Sequence, residues 1–110
     1  MSKSVLAAVF SVLGVLAVSS AQAWEATVTN VLQHGNMVAV YLSPDPGPLS
    51  CSYGQPYLTV VDDTPAAKQR FAMLLMALST GQKISGYDDG CDTGIWAQSR
   101  PVFWRLSLAR

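Results

Sequence analysis

Two acidic clusters are the first residues whose type and spacing could do chemistry: Asp62-Asp63, and Asp88-Asp89 with Asp92. A carboxylate pair hydrolyses a glycoside only across a cleft at a set separation, a geometry that lies in the fold and not in the spacing. Calcium is the other candidate for the stretch Asp88-Asp-Gly-Cys-Asp-Thr-Gly94. An EF-hand loop places its ligands at positions 1, 3 and 5 and closes on a glutamate at 12. Here the acids stand at 1, 2 and 5 and no glutamate follows. We therefore read the stretch as a solvated turn, and Asp62-Asp63 as the start of a helix cap. His34 is the sole histidine and falls in a turn, and Ser50, Ser52 and Ser99 lack the neighbours of a G-x-S-x-G elbow. The chain is thus expected to have no catalytic residue, no bound metal and no cofactor, and not to be an enzyme.

Cys51 and Cys91 are the only cysteines. Zinc pairs usually sit two to four residues apart and need two further ligands, which one histidine does not supply. An even pair in an exported chain is most simply a disulfide. Closing a loop of about 40 residues, it would stabilise the fold by roughly 3–4 kcal/mol in the chain-entropy treatment. Binding is the chemistry left. Tyr53, Tyr57, Tyr87 and Trp96 lie in or beside the tethered loops, where aromatic faces can stack on sugars or anchor a protein partner. Trp96 is the best exposed candidate, because Gly94, Gln98 and Ser99 around it are small or polar.

The elements that must position these residues follow from pattern. Ala26–Leu32 is rich in β-branched residues and reads as a strand, Gln33-His34-Gly35-Asn36 as a turn, and Met37–Leu42 as the returning strand. Three prolines and a glycine within 43–50 break the pairing. A third strand follows at Tyr57–Val61. A capping Asp or Thr before Pro65 starts a helix running to about Ser79, and Gly81 stops it. Ala67, Phe71, Leu74, Leu75 and Leu78 form its predicted inner face; Met73, Met76 and Ala77 form a second apolar patch opposite. Lys83–Tyr87 is a fourth strand and 88–101 a long loop. In the final strand, 102–108, Val102, Trp104, Leu106 and Leu108 alternate, which puts Trp104 in the core.

Five strands with one helix between the third and fourth is the order of a mainly β, OB-fold-like Greek-key barrel. Such barrels bind through strands 2 and 3 and adjoining loops, which adds Tyr41 to Tyr53, Tyr57 and Trp96 as ligand-binding candidates. The signal-like ending Ala21-Gln-Ala23, the opening Trp24-Glu25, the hairpin into Tyr41-Leu42, Cys51-Ser52, the helix 67–78, Thr80-Gly81-Gln82 and Cys91 carry a resemblance. The layout resembles the B subunits of bacterial AB5 toxins, and most of all the subtilase cytotoxin B subunit group and its short exported relatives. That resemblance implies an OB-fold subunit that binds glycans and assembles into a homo-oligomer, a pentamer, with the helix at its centre. Met73 and Met76 would then face a neighbouring subunit. No residue-by-residue match to a sialic-acid site is present.

Residues 1–23 read as a secretory signal peptide: Lys3, an apolar run from Val5 to Val18, then Ser19–Ala23 ending in an A-x-A site. The apolar run is shorter than the ~20 residues of a membrane span, so no stable membrane insertion is expected after cleavage following Ala23, and the product is expected in the periplasm or outside the cell. Trp24–Arg110 then forms one domain of 87 residues with seven acids and six bases, net charge −1. That balance argues against a nucleic-acid partner, which requires clustered positive charge. Two readings result. One is a non-enzymatic module for a glycan or protein ligand, and the other a monomeric periplasmic inhibitor or envelope accessory protein.

Overall fold

The computed structural model describes residues 23–108. The export signal read at 1–23 lies, but for Ala23, outside them. Over the described residues the chain is mainly β, with one helix against an antiparallel five-stranded sheet. Its elements are β1 (Ala23–His34), β2 (Met37–Ser43), β3 (Tyr57–Val60), α1 (Pro65–Thr80), β4 (Lys83–Tyr87), β5 (Cys91–Asp92), β6 (Arg100–Pro101) and β7 (Leu106–Leu108). The sheet order is β3-β2-β1-β4-β7, and β5 pairs with β6 in a separate two-stranded ladder.

β1 is longer than its β-branched run because it serves two partners. Ala23–Thr27 pairs with β4, Ala23 opposite Tyr87 and Thr27 opposite Lys83. Thr27–His34 pairs with β2, Thr27 opposite Ser43 and His34 opposite Met37. The register shifts between Val28 and Asn30, and a bulge of this kind bends and twists a strand, so one strand turns from one neighbour to the other. The β1–β2 turn is Gly35-Asn36, with Gly35 at φ +63°, a conformation glycine takes without steric cost. The sheet keeps two edges, β3 and β7, and is not closed as a barrel by a continuous ladder. A single parallel bridge, Leu58 to Val102, joins β3 to the segment before β7, with Phe103 N–H donating to the Leu58 carbonyl at 3.1 Å.

Trp24 organises the core. Its indole is 5% exposed and meets Tyr57 and Phe103 edge to face, at centroid distances of 5.4 and 5.5 Å. Its Nε1–H donates to the Tyr87 carbonyl at 3.3 Å. The ring lies against Gly86, opposite it on β4; a Cβ at Gly86 would stand 2.3 Å from the indole Cζ2. Ala26, Val28, Val38, Val40, Leu42, Leu74, Ala77 and Ile84 complete this cluster, and Met37, Ala39, Leu58 and Val102 form a second one.

α1 begins and ends as expected. The Thr64 hydroxyl accepts from Ala67 N–H at 3.3 Å, Asp62 in turn accepts from Thr64, and Gly81 at φ +73° donates to the Ala77 carbonyl at 2.9 Å. Its buried face differs from the expected one. Ala67, Leu74 and Ala77 are buried, whereas Leu75 and Leu78 are 43% and 38% exposed. The helix is apolar nearly all round, so hydrophobic spacing does not choose a face. Arg70 does. Its Nε donates to the buried Thr59 Oγ1 at 2.7 Å, Nη2 to the Val60 carbonyl at 2.9 Å and Nη1 to the Trp104 carbonyl at 3.2 Å. That fork turns the 67–70–74–77 stripe inward.

The final strand is also shorter than the alternation predicts. β7 holds only Leu106–Leu108; Val102 and Phe103 are both buried, and Trp104 is 42% exposed. The cause is Asp89, whose carboxylate accepts from Trp104 N–H at 2.8 Å and Arg105 N–H at 3.3 Å and pairs with the Arg105 guanidinium. Held there, the chain breaks its strand geometry, and the indole lies outside, over Arg70 at 5.7 Å.

Candidate binding cleft

The segment expected as a plain loop, 88–101, folds back on itself. β5 and β6 pair Cys91 with Pro101 and Asp92 with Arg100, so the intervening turn carries Trp96 and Gln98 outward. Ala97, at φ +54°, closes this turn with its N–H on the Thr93 carbonyl at 3.0 Å. A left-handed backbone at a residue with a side chain is uncommon and clusters at functional sites. The Cys51–Cys91 disulfide, with a Cα–Cα distance of 5.7 Å, fastens the 44–56 segment to this hairpin. Tyr53 N–H adds a bond to the Ser99 carbonyl at 2.9 Å. The Gln55 side chain accepts from Leu42 N–H at 2.6 Å and ties the same segment to β2.

Between these three segments lies an open cleft of about 400 Å³, lined by Tyr41 from β2, Pro56, Trp96, Gln98 and Arg100. Arg100 is its keystone. The guanidinium lies over two aromatic rings, 5.5 Å from the Tyr53 centroid and 5.4 Å from that of Trp96. Nη1 donates to the Gln55 carbonyl at 2.7 Å, and Nη2 to the Gln98 amide oxygen. Its Nε is buried without a protein partner. Trp96 and Tyr53 are 39% and 48% exposed, and Tyr41 is half-buried. Of the four predicted ligand contacts, the structure therefore brings Tyr41 and Trp96 to one cleft, with Tyr53 stacked behind it through Arg100. Tyr57 is the correction. It is fully buried against Trp24, and its hydroxyl donates to the Gly47 carbonyl at 2.6 Å. Burial, then the charges of Asp45 and Asp88, push that phenol above its ordinary pKa.

No family model, curated protein or solved structure matches this chain. The chemistry of the cleft is thus read from its own residues. An exposed indole, a half-buried phenol, a carboxamide and a cation make a surface that stacks and donates hydrogen bonds. The cleft lining holds no carboxylate, histidine or thiol. Among the described residues no group of three His, Cys, Asp or Glu side chains could hold a metal, and no helix is long and apolar enough to cross a membrane.

The other expected residues lie elsewhere. His34 is exposed at the β1–β2 turn. Met73 is half-buried and lines a smaller cavity of about 150 Å³ with Ala66, Gln69, Arg70, Trp104 and Leu106, while Met76 is 52% exposed. The acidic cluster of 88–92 is not uniformly solvated: the Asp89 side chain is only 9% exposed. Its burial opposes ionisation, but the Arg105 guanidinium and the Trp104 and Arg105 N–H groups outweigh it and hold the carboxyl below its usual pKa. A carboxyl with a lowered folded pKa contributes stability that is present above its unfolded pKa of about 3.9 and lost as pH falls through the folded value. Asp89→Asn is accordingly expected to lower stability by about 1–2 kcal/mol at pH 7. It should also flatten the decline of stability with acid below about pH 4, as read by urea denaturation across pH 2–7.

Sequence reasoning missed Arg100, Gln98 and Pro56. Arg100 meets the carbonyls of Gly54 and Gln55 some 45 residues back along the chain, and no local pattern marks such a contact. The usable signal was Trp96 among polar neighbours, which pointed to this turn.

Proposed function

We propose that this chain is an exported, non-enzymatic binding module that takes a carbohydrate in the Tyr41–Trp96–Arg100 cleft. The observation that carries the reading is the exposed Trp96 indole, held by Arg100 beside Tyr41 and Gln98. A sugar offers an apolar face to such a ring and hydroxyls to the flanking amide. An OB-like barrel is the architecture that suits it. Support for that comes from the antiparallel order with β1 central, the helix between β3 and β4, and the parallel bridge from Leu58 to Val102. The reading keeps the resemblance to toxin B subunits as its fold-level counterpart.

A glycan array tests it. The protein is expected to bind a defined subset of glycans, and Trp96→Ala to weaken that binding at least about tenfold, the scale of one stacking contact. Binding unchanged by Trp96→Ala would reject the cleft.

A protein ligand is the second reading, favoured by the outer face of α1. Leu75, Met76 and Leu78 are exposed together there, and apolar side chains on one helix face suit contact with another chain. A homo-oligomer, a pentamer by resemblance, would cover it. Sedimentation equilibrium separates the cases: an oligomer that loses mass on Met76→Glu supports assembly through α1. A strict monomer without glycan affinity would leave the monomeric inhibitor or envelope accessory protein as the better account.

A further inference from the structure

We infer that the Cys51–Cys91 disulfide is a redox latch on the cleft: reducing it separates the two cleft walls while the five-stranded sheet stays folded. The latch joins the two segments that have least structure of their own. One wall, 44–56, has no regular secondary structure; the other, 91–101, has a ladder of two residue pairs. Besides the disulfide they are tied by Tyr53 N–H to Ser99 and by Arg100 to Gly54 and Gln55, and the Ser50 hydroxyl donates to Asp88, just before the second wall, at 2.8 Å. All these bonds lie at the surface or are half-exposed, where water competes with them. Neither cysteine belongs to the buried clusters around Trp24 and Met37. Cys91 is exposed and Cys51 half-buried, so a reductant reaches the bridge without unfolding the core.

The chemistry is thiol–disulfide exchange with a dithiol. One thiolate of the reductant attacks a bridge sulfur and displaces the other as a thiolate, which takes up a proton. The second thiol then resolves the mixed disulfide. Two electrons and two protons pass to the protein, giving two cysteine thiols and one oxidised, cyclised reductant. Breaking the link leaves Tyr53 and Trp96 on separate segments, no longer both held beside one guanidinium. The effect on ligand capture rests on the cleft being the recognition site; the separation of the walls does not.

Hydrogen exchange on the full chain, with and without dithiothreitol, tests the latch. Thiol titration counts two free thiols at completion. The Tyr53 amide, which bonds across the cleft, is expected to exchange at least tenfold faster after reduction. The far-UV circular dichroism should keep its oxidised-state form, and the Phe103 amide, bonded to Leu58 in the core, should stay at least tenfold better protected than the Tyr53 amide. Cys51→Ala/Cys91→Ala should reproduce the reduced pattern without reductant. Unchanged Tyr53 protection in the fully reduced protein would overturn the inference. So would loss of the sheet signal with all amides exchanging together. A glycan selected on the array supplies the separate arm. Affinity that falls tenfold with reduction supports both the latch and the cleft. Unchanged affinity alongside lost Tyr53 protection supports the latch and counts against the cleft as the recognition site.

Discussion

Trp24→Ala is expected to lower the free energy of unfolding by about 4 kcal/mol, the range found when a large buried aromatic is truncated. Total stabilities of small domains are about 5–15 kcal/mol, so this one change should leave the protein near its folding threshold. The reason is position. Trp24 stands at the start of β1, and its ring fills the space between Tyr57, Phe103 and Gly86, joining β1 to β3, β4 and the segment before β7. The cost has a partner test. Gly86→Ala adds a Cβ within 2.3 Å of the indole, and backbone-borne atoms cannot swing away. The indole must shift, at about 2–3 kcal/mol, the usual scale of overpacking. In the Trp24→Ala background the same Gly86→Ala change meets no ring and should cost well under 1 kcal/mol, an interaction energy of the size double-mutant cycles resolve. Urea denaturation of the four proteins reads it. Additive costs would mean that Trp24 does not lie on Gly86.

Arg70→Ala should be the second large effect, a loss of about 3 kcal/mol. Truncation leaves the Val60 and Trp104 carbonyls without this donor and removes one bond from the fully buried Thr59 hydroxyl, which itself donates to the Phe103 carbonyl at 2.8 Å. It also removes the cation beneath the Trp104 ring. Arg70→Lys should recover less than half of the loss, because three acceptors arranged for a planar fork are not met by one ammonium. Burial lowers the Arg70 pKa from its ordinary value, with Asp62 acting in the opposite sense. The side chain nevertheless stays charged across the working range, since arginine starts above 12. The expected loss is therefore the same at pH 5 and pH 8. A loss equal for Arg70→Lys and Arg70→Ala, with no change on Trp104 fluorescence, would remove the fork from the account.

The parts of the fold legible in the sequence are those set by short-range chemistry. The β1–β2 hairpin, the Thr64-Pro65 helix start, the Gly81 stop and β4 each depend on residues within one turn or one strand pair. The disulfide was legible by elimination among two cysteines. What was not legible turns on polar side chains acting at long range. Arg70 selects the buried face of an almost uniformly apolar helix. Asp89 halts the last strand and exposes Trp104, where period-two spacing alone places it inside. Tyr57 carries the same side chain as Tyr41 and Tyr53, yet its place beneath Trp24 follows only from the register of β3 on β2, Tyr57 opposite Val40. The cleft itself was half legible. An indole among small polar residues marked the turn, and an Arg two positions after Gln98 gave no hint that it bonds to the 54–55 carbonyls.

The central claim is that recognition occurs where Tyr41, Trp96, Gln98 and Arg100 meet. Heteronuclear NMR titration of the oxidised protein with the best glycan from the array tests it most directly. The account predicts saturable shifts of the Trp96 indole N–H and the Gln98 side-chain amide, with the outer face of α1 at Leu75, Met76 and Leu78 unmoved. Shifts confined to that helix face, or an array on which no glycan binds, would contradict it.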